Sequence, residues 1–257
     1  MTNETTSLRD EERERVWSEL RDVATPDSRF AWDFAEFIAD YEGSEEGARR
    51  LLDLAEKLGA ESWLVTPDNN LDPLREELVR ADVPFLMPSY GIRRGFLHLE
   101  SAAVDNDDAA FASVLDGMNR FADPVSIEEL EAEFPPLDVM VTGASFVTGG
   151  GLRMGKGHGY FDLEWAMLRE TGMVTAETVV IAAVHDVQFL EERGRAEAMV
   201  AEHDTIVDYV VTPSTTFEVE DAPPKPEGIH WDLLTESEIR EIPPLETLWE
   251  RAGRPAE

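Results

Sequence analysis

A run of apolar residues from Val179 to Val184 limits the folds open to this chain more than any other feature. A strand that is apolar at every position has no face suited to water, and such strands are typical of parallel sheets covered by helices on both sides. Shorter apolar runs lie elsewhere, separated by segments with helical periodicity. This alternation predicts an α/β fold, a three-layer sandwich whose mainly parallel central sheet lies between layers of helices. We predict further strands at residues 62–65, 83–87, 95–99 and 137–141, and a last one at 208–212.

Between these strands, apolar residues recur at helical spacing. Ser7 is a suitable N-cap for a first helix that extends to about Ala24, and Gly59 is expected to end a helix over residues 48–58. Because 257 residues can bury a substantial core and no internal repeat is evident, we expect one domain over residues 1–257. The remaining predicted helices cover residues 30–41, 73–81, 106–119 and 160–168, and a final one contains Leu245, Leu248 and Trp249.

Residues 149–162 carry the strongest chemical signal, with the sequence GGGLRMGKGHGYFD. Glycines at alternate positions allow positive φ angles and let a ligand approach the backbone N–H groups closely. Arg153 and Lys156 supply positive charge for phosphate groups, and Asp162 is a suitable ligand for a Mg²⁺ ion that also binds phosphate. The segment is expected to run from the preceding strand directly into the helix near Tyr160, where free N–H groups and the helix dipole favour an anion.

Two common phosphate-binding motifs do not fit this segment. A P-loop would need Ser or Thr after Lys156 to bind Mg²⁺, and Gly157 is there instead. A dinucleotide-binding fingerprint that starts at Gly155 would need glycine where Tyr160 lies. A flexible glycine loop with incidental charge is the remaining alternative, and it is disfavoured because basic residues, a tyrosine and an aspartate all lie in register.

The segment from Arg153 to Asp162 resembles the signature R-x-G-x-G-x-G-Y-[YF]-D of the 5-formyltetrahydrofolate cyclo-ligases, also called methenyltetrahydrofolate synthetases. Residues 202–212 resemble the later H-D-x-x-V-D-x-[IV]-[IV]-T segment of that family, and residues 9–17 resemble its N-terminal helix. The resemblance is stronger to the branch called methenyltetrahydrofolate synthase domain-containing proteins, and it is dense from about residue 138 to residue 248. The segments that carry the resemblance to this branch are 155–164, 184–186 and 225–231.

This resemblance implies the three-layer architecture of the isomerase and CoA-transferase-like folds. It also implies an ATP- and Mg²⁺-dependent ligase that converts 5-formyltetrahydrofolate and ATP to 5,10-methenyltetrahydrofolate, ADP and phosphate, so a reduced folate and ATP are the expected partners. Arg153 and Lys156 are implied to be catalytic, Lys156 and Tyr160 to contact the substrate, and Asp162 and Asp204 to hold Mg²⁺. The implied ATP-binding residues are Arg9, Arg13, Arg153, Gly155, Lys156, Gly157, His158, Gly159, Tyr160 and Phe161.

Two departures from the family pattern leave alternatives open. Arg9 stands where the family has a lysine that reaches the ATP phosphates, and it keeps the charge but not the compact ammonium group. Gly47 falls near the position of a glutamate that helps to hold folate in the active enzymes, with Glu45 and Glu46 displaced from it. A non-catalytic ATP-binding relative and an ATP-dependent enzyme that acts on another heterocycle are therefore alternative functions.

The His-Asp pairs at 185–186 and 203–204 suggest a metal-dependent phosphohydrolase as a further alternative. In such enzymes the pair lies on a helix, whereas His185 directly follows the predicted central strand, and this disfavours hydrolysis. The end of that strand is a place where ligands gather in open α/β sheets, so His185 is either a ligand-binding residue or a turn residue bonded to the backbone.

The charge of the chain is extreme, with 22 Lys and Arg residues against 55 Asp and Glu residues and a formal net charge of −33. This charge disfavours sequence-independent binding to nucleic acid, which depends on cationic contacts to phosphates. The acidic residues are spread through a chain that is 42% hydrophobic, and this predicts a halophilic protein with a solvated acidic shell and a fold that weakens at low salt.

Other features of the sequence bear on the compartment and the chemistry. The absence of cysteine excludes disulfides and thiol catalysis, and no apolar run is long enough for a transmembrane helix. The N-terminus is polar and acidic, unlike a secretory signal. We therefore expect a cytoplasmic protein without a membrane or nucleic-acid partner.

Overall fold

The computed structural model describes residues 3–191 and 196–253, which form helices around a large sheet and a second, small sheet. The strands are β1 (Trp63–Val65), β2 (Phe85–Pro88), β3 (Phe96–Leu99), β4 (Asp123–Val125), β5 (Val139–Thr142), β6 (Phe146–Thr148), β7 (Arg153–Met154), β8 (Val179–Ala183), β9 (Phe189–Leu190), β10 (Tyr209–Val211) and β11 (Thr216–Glu218). The α-helices are α1 (Asn3–Leu20), α2 (Ser44–Leu58), α3 (Asp72–Arg80), α4 (Ala109–Ser113), α5 (Leu115–Phe121), α6 (Ile127–Glu133), α7 (Tyr160–Glu170), α8 (Glu236–Glu241) and α9 (Pro243–Arg251).

The large sheet has the strand order β11-β10-β8-β5-β1-β2-β3-β4. Its central strands, from β10 to β2, are parallel to one another. At one edge β11 pairs antiparallel with β10; at the other edge β3 pairs antiparallel with β2, and β4 pairs antiparallel with β3. The apolar run that starts at Val179 forms β8, which lies between β5 and β10 as the sequence predicts. The strand at 208–212 is not the last one, because the chain turns at residues 212–215 and adds β11, an edge strand with too little apolar character to be recognised.

Alternate residues of the central strands face opposite helical layers, as expected for a buried parallel sheet. Met140 and Val180 pack into a core shared with α7 and α9, while Val141 and Ile181 pack on the other face with α2 and α3. The mainly parallel sheet between two helical layers confirms the predicted three-layer α/β class. No helix in the described part of the chain is both long enough and apolar enough to cross a lipid bilayer.

The N-terminal third differs most from the predicted elements. Ser7 lies inside α1 rather than at its N-cap, and this helix ends at Leu20, four residues before the predicted end. The segment 30–41 is not a helix, although its aromatic residues have helical spacing. The carboxylate of Asp27 accepts backbone N–H groups of the next turn, and Ala31 has a positive φ of 54°, so the chain is held in turns.

The helix predicted over residues 106–119 is divided into α4 and α5. Val114 has an extended conformation between them, and the two short helices fold against each other. Gly117 permits this contact, because a Cβ atom there would lie 1.5 Å from the carbonyl oxygen of Phe111. The predicted helices at 48–58, 73–81 and 160–168 and the final helix are confirmed as α2, α3, α7 and α9, and Gly59 caps α2 with a positive φ of 70°.

Candidate functional site

The sequence predicts that the glycine-rich segment connects β5 directly to α7, and this prediction is wrong. The strands β6 and β7 intervene and form the small sheet with β9, in the order β7-β6-β9. Arg153 consequently belongs to a strand, and the loop itself is limited to residues 155–159. The loop enters α7 at its N-terminus, where Gly159 is the N-cap, so the loop leads into the free N–H groups of the first helical turn, as the sequence predicts.

Each of the three loop glycines is required for its own geometric reason. Gly157 has a φ of 111° and Gly159 a φ of 69°, and both angles strain any residue with a side chain. Gly155 instead permits a close approach, since a Cβ atom there would lie 3.0 Å from Nη1 of Arg153. The spacing of the glycines therefore fixes both the path of the loop and the position of the guanidinium group below it.

Arg153 is held rigidly beside this loop. Its side chain is buried, its Nε atom donates to the carbonyl oxygen of Gly143 at 3.0 Å, and its guanidinium group lies 4.8 Å from the ring centroid of Phe161. Phe161 is itself 2% exposed and belongs to the main core. A cation fixed by packing and one backbone bond is preorganised for an anion that arrives in front of it.

The N-terminal helix carries two arginines that lie one turn apart, of which Arg13 contacts the loop and Arg9 contacts residues 199 and 204. Arg13 donates from Nε to the carbonyl oxygen of Gly155 at 2.8 Å and pairs through Nη1 with Asp10 at 2.6 Å. Burial lowers the pKa of the Arg13 guanidinium, and the charge of Asp10 opposes this effect. Arg9 is also buried, and it pairs with Asp204 at 2.5 Å and donates to the carbonyl oxygen of Met199.

The side chains of the loop contact their surroundings on both sides. Lys156 donates from Nζ to the carbonyl oxygen of Glu36 at 3.1 Å and lies over the ring of Tyr90, 5.0 Å from its centroid. Burial lowers the pKa of the Lys156 ammonium group, although the nearby charge of Asp68 opposes that shift. His158 stacks on Tyr160 with a centroid distance of 5.4 Å and an interplanar angle of 14°.

These elements enclose a cleft of about 760 Å³, named here the outer cleft. The residues that the sequence analysis assigned to ATP, substrate or metal all line it, except Phe161, which lies deeper. The structure thus brings together segments from the two ends of the chain and its centre. The predicted site residues in the wall of the outer cleft are Arg9, Arg13, Arg153, Gly155, Lys156, Gly157, His158, Gly159, Tyr160, Asp162 and Asp204.

The two predicted metal ligands already have protein partners. Asp162 accepts the backbone N–H of Thr205 at 2.8 Å, and Asp204 accepts from both Arg9 and the backbone N–H of Ala201, the latter at 2.6 Å. Burial raises the pKa of Asp162, and the Arg153 charge opposes the rise. Within the described residues no group of three or more His, Cys, Asp or Glu side chains could hold a metal alone. A Mg²⁺ ion here would take most of its ligands from phosphate and water, which is its usual preference.

A smaller cavity of about 60 Å³, named here the inner pocket, lies behind the loop at the carboxyl ends of β1, β2 and β5. Its polar residues include Asp68, Ser89 and Glu164, none of which the sequence analysis singled out. Glu164 could have been recognised, because a carboxylate three residues after Phe161 and four before Leu168 lies on the face that α7 buries. Asp68 gives no such signal, since aspartate is ordinary in a loop after a strand.

Several other residues considered from the sequence lie away from both cavities. Gly47 lines neither of them, and Glu46 is paired with Arg49 on the surface of α2. His185 caps a short turn by accepting the backbone N–H of Val187, and Asp186 accepts the hydroxyl groups of two residues after β10. These contacts match the turn-residue interpretation of His185. Among the described residues, no cluster of side chains could form the metal centre that the phosphohydrolase alternative requires.

Known proteins similar to this chain agree with the family resemblance. Methenyltetrahydrofolate synthase domain-containing proteins are 28% identical over 249 residues in Danio rerio, 30% over 243 residues in Mus musculus and 28% over 238 residues in Homo sapiens. These alignments cover 92–94% of this chain, which spans 60–62% of the length of those relatives.

Among solved structures, the 5,10-methenyltetrahydrofolate synthetase of Aquifex aeolicus is 18% identical with a TM-score of 0.48, over 87% of this chain and 98% of that one. The synthetase of Mycoplasma pneumoniae is 10% identical with a TM-score of 0.43, over 80% and 97%. The family model of the 5-formyltetrahydrofolate cyclo-ligases matches residues 4–217. This range includes the strands that border the two cavities and the whole glycine loop. On that match, the chain belongs to the 5-formyltetrahydrofolate cyclo-ligase family.

Proposed function

We propose that this protein is an ATP- and Mg²⁺-dependent ligase that converts 5-formyltetrahydrofolate to 5,10-methenyltetrahydrofolate with release of ADP and phosphate. The observation that carries the proposal is the outer cleft, in which the glycine loop, Arg13 and Arg153 converge on one space at the N-terminus of α7. Backbone N–H groups and fixed guanidinium groups are the groups that bind phosphate.

The chemistry of the reaction explains why such a site is useful. The formyl oxygen is amide-like and leaves poorly, so the γ-phosphoryl group of ATP is transferred to it first. N10 of the folate then attacks the activated carbon, the ring closes, N10 loses its proton and phosphate leaves with the formyl oxygen. Catalysis of phosphoryl transfer relies mainly on positioning and on neutralising charge, which the groups of the outer cleft can supply.

In this proposal Arg153 and Lys156 are the catalytic cations. Arg153 is fixed by its bond to Gly143 and its contact with Phe161, so it stabilises the transferred phosphoryl group without further ordering. Lys156 reaches the boundary between the two cavities, since it lines both, and it must release the Glu36 carbonyl to bind a phosphate oxygen. Lys156 and Tyr160 also contact the folate.

The remaining roles follow from position in the cleft. Arg9 and Arg13 support the triphosphate from α1, while the backbone of residues 155–161, with His158 in its wall, binds the nucleotide. Asp162 and Asp204 hold Mg²⁺ together with phosphate oxygens, and the ion would neutralise charge on the phosphates. Asp162 is the stronger ligand of the two, because Asp204 is already paired with Arg9.

A non-catalytic ATP-binding protein is the second candidate, and one observation favours it. Arg9, Asp204 and Lys156 all have hydrogen-bond partners within the protein. Such internal bonds would suit a protein that binds a nucleotide without turning it over.

An absorbance assay for methenyltetrahydrofolate distinguishes the two candidates. Purified protein in molar KCl with ATP, Mg²⁺ and 5-formyltetrahydrofolate should form the product, and Arg153→Ala should form far less. Binding of ATP by calorimetry without product or folate-dependent ADP release would favour the non-catalytic protein. ADP release with another heterocycle, and none with folate, would indicate a ligase of different specificity.

A further inference from the structure

Glu164 is the least explained charged residue in the site. It lies on the second turn of α7 with 4% of its surface exposed, and its Oε2 atom is buried without a hydrogen-bond partner among the described residues. A buried carboxyl group normally has its lone pairs satisfied, because an unpaired one costs free energy. The residue lines the inner pocket, so the missing partner can come from a ligand that enters there.

The neighbouring carboxylate has no such deficit. Asp68 accepts the hydroxyl group of Thr66 at 2.6 Å and the backbone N–H of Gly143 at 2.8 Å. Arg153 and Lys156 contribute positive charge around Glu164, while Asp68 and Asp162 contribute negative charge, so the two signs are balanced around it. The pocket therefore needs a hydrogen-bond donor more than it needs a further cation, and a neutral group with N–H bonds meets that need.

The walls of the inner pocket are suited to a flat ring. Phe30 stacks on Tyr90 with a centroid distance of 5.8 Å and an interplanar angle of 17°, and Phe37 lies 6.2 Å from Phe30. These rings and Tyr160 line the space in front of Glu164. Aromatic side chains favour planar ligands through stacking and apolar contact.

The size of the pocket limits which part of a ligand reaches Glu164. About 60 Å³ holds the edge of a ring but not a whole bicyclic heterocycle. The pocket shares Arg153, Gly155, Lys156 and Tyr160 with the outer cleft, so the rest of the ligand extends toward that cleft. A ligand placed in this way would bring its distal atoms to the phosphate-binding loop.

We propose that Glu164 is the residue that determines ring specificity, by accepting hydrogen bonds from a heterocycle edge that carries two adjacent N–H donors. The 2-amino-4-oxopyrimidine edge of a reduced folate has this pattern, and naming folate as its source rests on the proposed function. A carboxylate binds two parallel N–H donors well, and a site built for such donors rejects a ring that lacks one of them. Glu164 thus supplies a carboxylate to the ring from α7.

The test compares two probes, 6-methylpterin and the same compound methylated on N3, which removes one donor of the pair. Binding to wild-type protein in molar KCl without ATP is measured by quenching of pterin fluorescence. We expect the unmethylated probe to bind at least about tenfold more tightly, and Glu164→Gln to lose this preference, because a charge-assisted bond is lost. The matched control is Glu177→Gln, an exposed residue before β8 that lines neither cavity, which should keep the preference.

Equal affinity of wild-type protein for the two probes, or no affinity for either, would overturn the inference. Retention of the preference by a folded Glu164→Gln variant would also overturn it. If that variant does not fold, equal affinity of the wild-type protein for the two probes still overturns the inference. Formation of methenyltetrahydrofolate in the assay described above would leave the proposed function intact in each of these cases, so the two failures are distinguishable.

Discussion

The outer cleft and the inner pocket share a wall but are built in opposite ways. The outer cleft contains cations and carboxylates that are paired within the protein, as Arg9 is with Asp204 and Arg13 with Asp10 and the carbonyl oxygen of Gly155. In the inner pocket the most buried charged group is Glu164, and one of its oxygens has no hydrogen-bond partner within residues 3–191 and 196–253. The first region has its groups fixed before a ligand arrives, whereas the second has a polar group that a ligand must complete.

This difference indicates two kinds of specificity within one site. Fixed cations and backbone N–H groups bind any phosphate chain of the right length, and they gain rate through preorganisation. An unsatisfied buried carboxyl group discriminates among rings, because the wrong ring leaves it unpaired. Arg153 and Lys156 line both regions and connect the two functions.

The largest effect is expected from Arg153→Ala, since this residue lines both regions. Loss of the guanidinium group removes a charge-assisted contact to phosphate, so ATP affinity should fall about 10- to 150-fold, the equivalent of about 1.5–3 kcal/mol. Calorimetric titration of Mg·ATP at constant salt measures the change. Arg169→Ala, which removes a partner of Glu227 at the C-terminal end of α7 and lines neither cavity, should leave the affinity unchanged. Unchanged affinity in Arg153→Ala would show that the cleft does not bind phosphate through this residue.

A smaller effect is expected from the two acidic residues of the outer cleft. Asp162→Asn should raise the Mg²⁺ concentration for half-maximal activity at least about tenfold, the scale found for residues around a metal. Asp204→Asn should raise it less, because Asp204 is paired with Arg9. Activity titrated with MgCl₂ at fixed ATP compares the variants. An equal Mg²⁺ requirement in wild type and both variants would make these carboxylates structural.

The stability of Glu164→Gln as a function of pH tests whether the two regions differ as described. Burial raises the pKa of Glu164 well above its ordinary value, with Asp68 adding to the rise and Arg153 opposing it. The folded state therefore holds this proton more tightly than the unfolded state, and the resulting stability is present below about pH 4 and lost as the pH rises through the folded-state pKa. Glutamine does not titrate, so the stability of the variant relative to wild type should rise as the pH increases from 5 to 8.5.

Melting curves of both proteins at the two pH values check this expectation. A melting temperature of Glu164→Gln that rises relative to wild type with pH supports an uncompensated carboxyl group in the inner pocket. A constant difference across that range would mean that Glu164 finds a partner in the folded protein, and the contrast between the two regions would then disappear.

The smallest effect per residue is expected from salt, although it acts on many charged residues of the surface at once. With 55 acidic and 22 basic residues, most neighbouring surface charges repel each other, and the compact native state feels more of this repulsion than the unfolded chain. Screening shortens the reach of the repulsion from about 10 Å at 0.1 M salt to about 3 Å at 1 M. The melting temperature should rise steadily from dilute buffer to molar KCl. Superimposable melting curves would contradict the halophilic interpretation but would have no bearing on the roles proposed for the two cavities.

The sequence predicts the central part of this molecule well because its signals are local. The apolar run of β8 and the stripe of α2 that ends at Gly59 need no distant partner to be recognised. The glycine loop is equally readable, since positive φ angles at Gly157 and Gly159 restrict those positions to glycine. Arg9 and Arg13 are implied by the family resemblance; the structure brings Arg13 to the loop across 142 residues of sequence and places Arg9 in the wall of the outer cleft.

The missed features depend on contacts that no local pattern records. Segment 30–41 has helical spacing, yet the side chain of Asp27 holds its start in turns, and Phe30 and Phe37 line the inner pocket. The strands β6 and β7 are too short to give a periodic signal. The sequence therefore predicts a glycine-rich loop from residue 149, whereas the loop in the structure begins at residue 155. Glu164 is polar on a buried helix face, and its importance emerges from the pocket beside it.

The division of labour between the two regions is tested most directly by measuring two ligands on two variants. Arg13 lines the outer cleft and not the inner pocket, and Glu164 lines the inner pocket and not the outer cleft. Titrations of Mg·ATP and of 6-methylpterin should show that Arg13→Ala loses affinity for ATP alone, and that Glu164→Gln loses affinity for the pterin alone. Equal losses of both ligands in both variants, or no loss in either, would contradict the separation of a phosphate-binding cleft from a ring-binding pocket.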